Sequence, residues 1–229
     1  MKQISLLLIL MLWAAAGIAQ SQFGFKAAYL IPNYKITSTP PNSTETLNED
    51  NNLAFTLNYK RRWPGLFNFG GEIEYYQVNS HFNSTYTSLG AHVERDVDFT
   101  VNYLNFRILP EFVFGKKFRP YIQIGPYLGF LLKSTAKGYR ILSDENGSVK
   151  LDEDMDASDD FANVDWGIFM GAGAEYPIGK SFKIAVELQY TRGFAQFAQE
   201  DKYVFATRNF TMGLSFIYVL RAYADRVKE

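Results

Sequence analysis

Hydrophobic and polar residues alternate along most of the chain with the period of two that is typical of β-strands. Each of eight segments places large apolar side chains at every second position and small or polar side chains between them. Helical periodicity and helix capping signals are absent from these segments. The pattern predicts eight β-strands, at about 22–31, 53–60, 67–76, 104–114, 121–132, 167–176, 182–191 and 209–220.

The connections between these segments alternate in length. The second, fourth and sixth strands are followed by short links at 62–65, 115–118 and 177–180. The other links are long and polar, at roughly 32–52, 79–98, 133–163 and 193–205. An up-and-down antiparallel order places all the short links on one rim. Transmembrane β-barrels have this asymmetry, with short periplasmic turns and long extracellular loops.

The two faces of the predicted strands differ in charge. No apolar face carries a charged residue, and a charge facing the middle of a bilayer would cost about 2–4 kcal/mol. This favours a membrane barrel over the alternative, a soluble exported barrel or sandwich. The opposite faces carry a nearly balanced set of charges that we expect to form a network inside the lumen: Lys26, Lys60, Glu72, Glu74, Arg107, Glu111, Glu175, Lys183 and Glu187.

Aromatic residues are unusually frequent, with 20 Phe, 15 Tyr and 3 Trp among 229 residues. Many rings fall near strand ends, where aromatic girdles of membrane barrels meet the interface. Eleven residues at ~3.3 Å, tilted by ~45°, span about 25 Å, the height of the apolar band of such a barrel. We therefore predict an all-β fold, an eight-stranded antiparallel up-and-down transmembrane β-barrel, with a lumen filled by side chains.

Several glycines fall on the faces predicted to point inward. Two explanations remain open for them, namely crowding against large residues in a narrow lumen and curvature at the corners of the barrel. The glycines concerned are Gly125, Gly129, Gly167, Gly171 and Gly173.

The first residues have the features of a secretory signal. Lys2 is followed by the apolar run 4–16, and Gly17 and Ala19 are the small residues that a signal peptidase reads. We expect cleavage after Ala19, so that residues 1–19 form a signal peptide. The alternative is an uncleaved anchor, but the run is shorter than the ~20 residues that span a bilayer. Residues 20–220 would then form the barrel, and 221–229 a short periplasmic tail.

Composition excludes several kinds of site. The chain has no cysteine, which excludes disulfides, thiolate metal sites and a cysteine nucleophile. The formal net charge is −1, so the chain has no overall attraction for nucleic acid. We predict no cofactor and no nucleic-acid partner.

Candidates for catalysis are few. The two histidines, His81 and His92, both fall in the second long link, and their spacing matches no compact metal site. We interpret them as solvated, with a hydrolase site as the alternative. Glu72 and Glu74 could be a pair of acid and base carboxylates. We expect instead that they accept hydrogen bonds from nearby bases, with Lys60, Arg107 and Lys183 as the candidates.

The third long link is strongly acidic, with eight acids and one base between Asp144 and Asp160. Asp152, Asp154 and Asp156 have the spacing that opens a calcium-binding loop. Ala157 stands where that loop has glycine, and Asn163 where it has its bidentate glutamate. We therefore favour a solvated acidic link and retain these three aspartates as weak metal candidates.

Four segments resemble the PorT-like family of small Gram-negative outer-membrane β-barrels. They are 103–110 (YLNFRILP), 115–118 (GKKF), 119–127 (RPYIQIGPY) and 167–176 (GIFMGAGAEY). The similarity extends over nearly all of 20–220, although Arg107 stands where that family commonly has proline. The resemblance implies an outer-membrane barrel and, as in the family's namesake, involvement in protein secretion. It implies no catalytic residue.

These observations predict a non-enzymatic outer-membrane barrel that acts through its surface loops or as an accessory of the envelope or of secretion. Its expected partners are outer-membrane lipid and envelope or secretion-complex proteins, and its oligomeric state is left open. A narrow porin or transporter with a charged lumen is one alternative. An enzyme that modifies lipid or protein, built on His81 or His92, is another.

Overall fold

A computed structural model describes residues 20–32, 43–49, 52–63, 65–88, 91–145, 147–195 and 207–220. All strands in these ranges belong to one sheet of ten strands. The strands are β1 (Gln20–Pro32), β2 (Ser43–Glu49), β3 (Asn52–Arg62), β4 (Phe67–Ser88), β5 (Ala91–Val113), β6 (Arg119–Asp144), β7 (Gly147–Asp156), β8 (Val164–Pro177), β9 (Phe182–Gly193) and β10 (Arg208–Leu220). The expected signal peptide, 1–19, and the tail, 221–229, lie outside the described residues.

The strand pairings return to their starting point. β1 pairs with β3, and the order continues through β4, β5, β6, β8, β9 and β10, which pairs again with β1. All these pairings are antiparallel. Because each of the eight strands has a partner on both sides, the circuit has no free edge. β2 pairs with β4 and β7 with β6, outside the circuit.

The prediction of loops was wrong at one end of the sheet, where strands occupy much of three of the four long links. Most of the fourth, 193–205, lies outside the described residues. β4 and β5 remain paired as far as Ser88 and Ala91, within the link expected at 79–98. β6 and β7 occupy most of 133–163, and β2 lies within 32–52. These polar segments were predicted as loops because both of their faces carry polar residues, but backbone pairing does not require an apolar face. We call β2, β7 and residues 80–101 and 134–144 the sheet extension.

A β-bulge marks the start of the extension. The register between β5 and β6 shifts at Asn102 and Tyr103, which pair with Lys133 and Leu131. The extra residue, Leu132, reverses the side on which the following residues of β6 lie. The inward-facing residues of β6 are therefore odd-numbered before the bulge and even-numbered after it.

The eight strands of the circuit have apolar residues outside and polar residues inside. Leu57 is 62% exposed and Leu214 60%, whereas Lys26 is 1% exposed and Glu74 is fully buried. This arrangement is the reverse of that in a water-soluble barrel. Aromatic pairs lie at both ends of the outer surface, with Trp63 against Phe67 near one short link and Trp166 against Phe194 at the opposite end.

Small apolar clusters lie among the charged and amide side chains of the interior. Val113, Tyr121, Ala185 and Ile217 form one of them near a short link. Towards the extension lies an apolar layer in which the rings of Tyr76 and Tyr103 stack with their centroids 5.6 Å apart. The segment after the 3₁₀ turn Ser158–Asp160 packs on this layer through Phe161 and Ala162. The Tyr103 hydroxyl donates to the Ala162 carbonyl at 3.0 Å.

Candidate functional sites in the interior and in the sheet extension

The nine charged residues predicted to face the lumen all lie inside the sheet. Period-two alternation places them there, because each occupies a position opposite in parity to the apolar residues of its strand. All nine are at most 7% exposed. An ionised side chain is costly to bury unless it is paired and hydrogen-bonded, and most of this set is arranged in short contacts.

Lys26 links carboxylates on two other strands. Its Nζ lies 2.7 Å from Oε1 of Glu187 and 3.4 Å from Oε2 of Glu72. The Tyr121 hydroxyl donates to Oε2 of Glu187 at 2.8 Å. Both oxygens of Glu187 are therefore engaged, one by an ammonium and one by a phenol.

Arg107 is the partner of Glu74. Its Nη2 donates to Oε2 of Glu74 at 2.5 Å, and its Nη1 donates to Oε1 of Gln189 at 2.7 Å. Nη1 also lies 3.8 Å from the carboxylate of Glu72. Glu72 and Glu74 thus contact Lys26 and Arg107.

The other two predicted bases contact different carboxylates. Lys60 pairs with Glu111 at 2.5 Å, and the Asn68 amide donates to the second oxygen of Glu111 at 2.7 Å. Lys183 lies 3.0 Å from Glu175. Of the three bases named as candidates for Glu72 and Glu74, Arg107 therefore contacts both, whereas Lys60 and Lys183 reach Glu111 and Glu175.

Arg119 belongs to the same set, although the sequence prediction omitted it. It is 5% exposed, and its Nη1 lies 2.8 Å from Oε1 of Glu175. With Arg119, the interior ion pairs have five bases for five acids. The prediction missed it because it begins a strand directly after a short link. Its odd parity, shared with the inward-facing Tyr121 and Gln123, was the signal that could have found it.

Crowding inside the barrel explains why the inward-facing residues at positions 125 and 173 are glycines. A Cβ atom at Gly173 would lie 2.5 Å from the ring of Tyr121, and one at Gly125 would lie 2.1 Å from the Ile108 carbonyl oxygen. Such distances cannot be accommodated without moving the neighbouring strand or the ring. Of the two explanations left open by the sequence, these contacts favour a crowded lumen.

The extension contains the histidines, which the structure does not bring together. Nδ1 of His81 lies 2.7 Å from Oδ1 of Asp98, and Nε2 lies 3.6 Å from Asp96. His92 is exposed on β5, opposite Thr87 and Ser143. His81 therefore has two carboxylate neighbours in a water-accessible position.

The three weak metal candidates lie on a strand and not in a calcium-binding loop. Asp152, Asp154 and Asp156 share the outward side of β7. Within the described ranges, no group of three or more His, Cys, Asp or Glu side chains is arranged to hold a metal ion. Asp156 accepts hydrogen bonds from the hydroxyl and backbone N–H of Ser158, and these bonds lower the pKa of Asp156.

Glu153 lies on the opposite side of β7 and is buried. Its two oxygens accept from Nε of Arg95 and Nη2 of Arg140, each at 2.8 Å. Because Arg140 is on the neighbouring strand β6 and Arg95 on the next strand, β5, this carboxylate ties β7 to two strands of the sheet. Sequence reasoning counted Glu153 among solvated acids, since its partners are distant along the chain.

The sheet, with an apolar exterior and a paired polar interior, defines the class of an outer-membrane β-barrel. Residues 18–199 match the family model for the outer membrane protein beta-barrel domain. The chain belongs to this family, which places it in the outer membrane. Over the part of the chain that the structure describes, no helix is long and apolar enough to cross a bilayer.

Solved structures of other small outer-membrane proteins are similar to this chain. The attachment invasion locus protein Ail of Yersinia pestis is 16% identical, with 87% of this chain and 98% of that one covered and a TM-score of 0.41. Neisserial surface protein A is 10% identical, with 86% and 96% covered and a TM-score of 0.46. AlkL is 12% identical, with 90% and 92% covered and a TM-score of 0.40. No curated protein sequence matches the chain.

Proposed function

We propose that this chain is a non-enzymatic integral outer-membrane protein that acts by binding other molecules outside the cell. The eight strands of the closed circuit cross the bilayer in up-and-down order, the short links face the periplasm, and the sheet extension projects from the cell surface. The observation that carries the proposal is the extension itself, a paired, largely polar sheet that continues beyond the apolar band.

The position of the aromatic pairs supports this orientation of the strands in the bilayer. Trp63 with Phe67, and Trp166 with Phe194, lie at the two ends of the apolar exterior, where amphipathic rings favour the interfaces. Beyond Trp166 the extension offers charged side chains to water, such as Asp98 and Asp154, with 70% and 74% of their side chains exposed. An apolar band with a polar sheet at one end fits a barrel anchored in lipid with a head in water.

The filled interior argues against the alternative of a narrow porin or transporter. The ion pairs of the interior lie under the apolar layer of Tyr76 and Tyr103, and Phe161 and Ala162 cover that layer. A solute would have to displace both the ion pairs and the apolar layer in order to pass. Planar-bilayer recordings of the purified protein should therefore show little conductance, and a steady conductance of ions would favour the porin.

Surface labelling tests the orientation, because the chain has no cysteine of its own. Asp154→Cys introduces a thiol on the extension, and Lys117→Cys introduces one in an exposed short link at the other end. We expect a membrane-impermeant maleimide to label intact cells at position 154 and not at 117, and to label both after the outer membrane is permeabilised. The reverse pattern would refute the orientation.

The N-terminus of the mature chain is a separate part of the proposal. Cleavage after Ala19 would leave Gln20 as the first residue. Gln20 pairs with Arg62 at the end of β3, so the mature chain would enter the sheet at its first residue. Mass spectrometry of the intact mature protein checks the site, and a mass that includes residues before Gln20 would contradict it.

The resemblance to the PorT-like family supports a more specific role, as an accessory of a protein secretion complex. Crosslinking in cells from the short links and from the extension, followed by identification of the captured proteins, would test it. Capture of secretion components from the periplasmic side would support the accessory role. An unchanged set of secreted proteins in cells that lack this protein would refute the accessory role.

An enzyme is a second candidate, and the contact of His81 with Asp98 at 2.7 Å is the observation that favours it. A histidine oriented by a carboxylate is a common general base. Replacement of His81 by Ala tests this candidate. Loss of an envelope lipid or protein modification in cells that carry the folded His81→Ala variant would support it, and an unchanged envelope would refute it.

A further inference from the structure

β7 has one open edge. Among the described residues it pairs with β6 alone, over ten positions from Gly147 to Asp156. An edge strand presents a row of unpaired backbone N–H and C=O groups, which a second extended chain can pair with. Prolines and β-bulges often protect edge strands from pairing. β7 contains no proline and its pairing with β6 has no register shift, so neither feature protects this edge.

The edge is held in place before any partner arrives. Glu153 joins β7 to Arg140 on the adjacent strand β6 and to Arg95 on β5, the next strand, through contacts of 2.8 Å. A partner that adds to β7 therefore does not have to order the strand, and this lowers the entropic cost of binding.

The two sides of β7 have different chemistry. Val149, Leu151 and Met155 lie on one side and are 45–57% exposed. Lys150, Asp152, Asp154 and Asp156 lie on the other side, at alternate positions, so that this row carries three acids and one base. An extended partner would meet both rows at once, because its own side chains also alternate between the two sides of the sheet.

Neighbouring strands reinforce the negative charge beside the edge. Asp96 and Asp152 both pair with Tyr139, and Asp98 and Asp154 both pair with Lys137. Asp96 raises the pKa of the Tyr139 phenol, as expected for a group beside a negative charge. Lys137 is 3.9 Å from Asp154, a loose contact between exposed groups that neutralises little of this charge.

We propose that the open edge of β7 binds an extended segment of another protein, in which basic residues alternate with apolar residues, by antiparallel β-strand addition. The inference deepens the proposed surface-binding function and rests on it for its biological setting. The backbone of β7 would supply the pairing, the aspartates would select the basic residues, and Val149, Leu151 and Met155 would cover the apolar ones.

A second copy of the chain is a poorer occupant of the same edge. Two β7 strands paired antiparallel would bring the two rows onto the same side of the joined sheet, and each row has a net charge of −2 from Lys150 and the three aspartates. Like charges at neighbouring positions across strands are destabilising. The acidic row therefore discourages self-association and favours a basic partner.

A peptide of ten residues with alternating Lys and Val tests the proposal by fluorescence anisotropy with the full mature protein in detergent micelles. We expect saturable binding of this peptide and none of a peptide with alternating Glu and Val. Two further peptides are methylated on the backbone nitrogens of all the Lys or of all the Val residues. Because one of these sets faces β7 in the antiparallel arrangement, one methylated peptide should bind at least about tenfold more weakly and the other should bind normally.

Two charge reversals provide a matched pair of variants. Asp154 and Asp98 are similarly exposed and both flank Lys137, but Asp98 lies two strands away from the edge. Two strand spacings amount to about 10 Å, roughly the screening length at 0.1 M salt. Asp154→Lys should weaken binding of the Lys–Val peptide about fivefold, and Asp98→Lys by less than about twofold.

Three results would overturn the proposal. The first is failure of the Lys–Val peptide to bind. The second is equal binding of both methylated peptides and the parent, which would show attraction by charge alone. The third is a stable dimer of the free protein that Asp154→Lys changes, which would assign the edge to a second copy. Peptide binding in micelles does not depend on how the protein is oriented in the cell. Failure of the surface labelling would therefore refute the proposed function without refuting the binding of an extended segment to β7.

Discussion

At the scale of single residues, the interior depends on pairs in which each charge compensates the burial of the other. Arg107 and Glu74 are both almost completely buried and are joined directly. Such a pair adds little net stability compared with apolar residues of the same size. Loss of one member is costly, however, because the other is left buried and unpaired.

Replacement of Arg107 by Met should therefore destabilise the barrel by about 3–5 kcal/mol, because Glu74 would lose its cation. Urea unfolding of the protein in lipid vesicles, followed by the mobility of unheated samples in gels, measures the change. The double variant Arg107→Met with Glu74→Leu is the control and should regain much of the loss. Equal stability of the single variant and the wild type would contradict the role assigned to this pair.

Asp156 gives a pH-dependent prediction outside the membrane-spanning strands. Hydrogen bonds from Ser158 lower the pKa of Asp156 in the folded protein below its value in the unfolded chain. The stability that these bonds provide is therefore fully present above the unfolded pKa and is lost as the pH falls through the folded pKa. The NMR shift of the Ser158 amide should follow this titration, with a midpoint below the ordinary value for aspartate.

Asp156→Asn is the control for this titration, since an amide accepts hydrogen bonds but does not ionise in this range. The shift of the Ser158 amide should then be flat with pH. A midpoint above the ordinary value for aspartate in the unsubstituted protein would show that Ser158 does not stabilise the carboxylate.

At the scale of elements, β7 is one of two strands, with β2, that pair with a single neighbour among the described residues. It pairs only with β6 among the described residues, and most of its side chains are exposed. Its attachment therefore depends on the backbone ladder and on the contacts of Glu153. Edge strands with few buried contacts open more readily than strands within a sheet.

Glu153→Gln should loosen β7 by about 1 kcal/mol, because the amide carries no negative charge and its one oxygen can replace only one of the two carboxylate oxygens that accept from the partly exposed arginines. Lys150 lies on β7, so the expected result is faster tryptic cleavage after Lys150, by about fivefold. Asp154→Asn is the matched control, since the ion pair of Asp154 within the described ranges is the loose contact with Lys137. Similar cleavage rates in the two variants would exclude the anchoring role of Glu153.

At the scale of the whole molecule, the distribution of apolar and charged residues is the reverse of that in a soluble protein. Apolar residues cover the outside of the closed circuit, and the ionised groups lie within it. Closure satisfies the backbone groups of the strands in the circuit, which a bilayer would otherwise leave without partners. The average hydrophobicity of the chain does not reveal this, because it sums the two faces.

Leu214→Arg tests the lipid-facing surface. Leu214 lies midway along β10 on the outside, and a charge there should cost about 2–4 kcal/mol in folding into a bilayer. Folding efficiency into vesicles measures the effect. Leu151→Arg, on the extension, is the control and should cost much less, because that position faces water. Equal losses for the two variants would contradict the placement of the bilayer around the closed circuit.

The direction of the side chains was predictable from sequence because it depends only on parity along each strand. Lys26, Glu72 and Glu187 could be assigned to the interior without any knowledge of their partners. Their contacts could not be predicted. Lys26 and Glu187 lie on β1 and β9, with β10 between them, so that their meeting depends on closure of the circuit and on the stagger of its strands.

The extension was missed for a related reason. Most of its residues show no clear separation of apolar and polar faces, and in β7 the apolar side is interrupted by Glu153. Such a pattern predicts a loop. His81 and Asp98 illustrate this, since both are exposed and yet occupy paired positions in β4 and β5. Only the register of the two strands, continued from the barrel below, brings them together.

The sequence by itself determined the class of fold, the two faces of the strands and the composition of the interior, since these follow from local alternation and from the exclusion of charge from lipid. The tertiary structure decided which charges pair and how Phe161 and Ala162 cover the apolar layer of the interior. It also decided that β7 pairs on one side only among the described residues. These features join residues that are far apart along the chain. They therefore depend on closure and register, which no local pattern encodes.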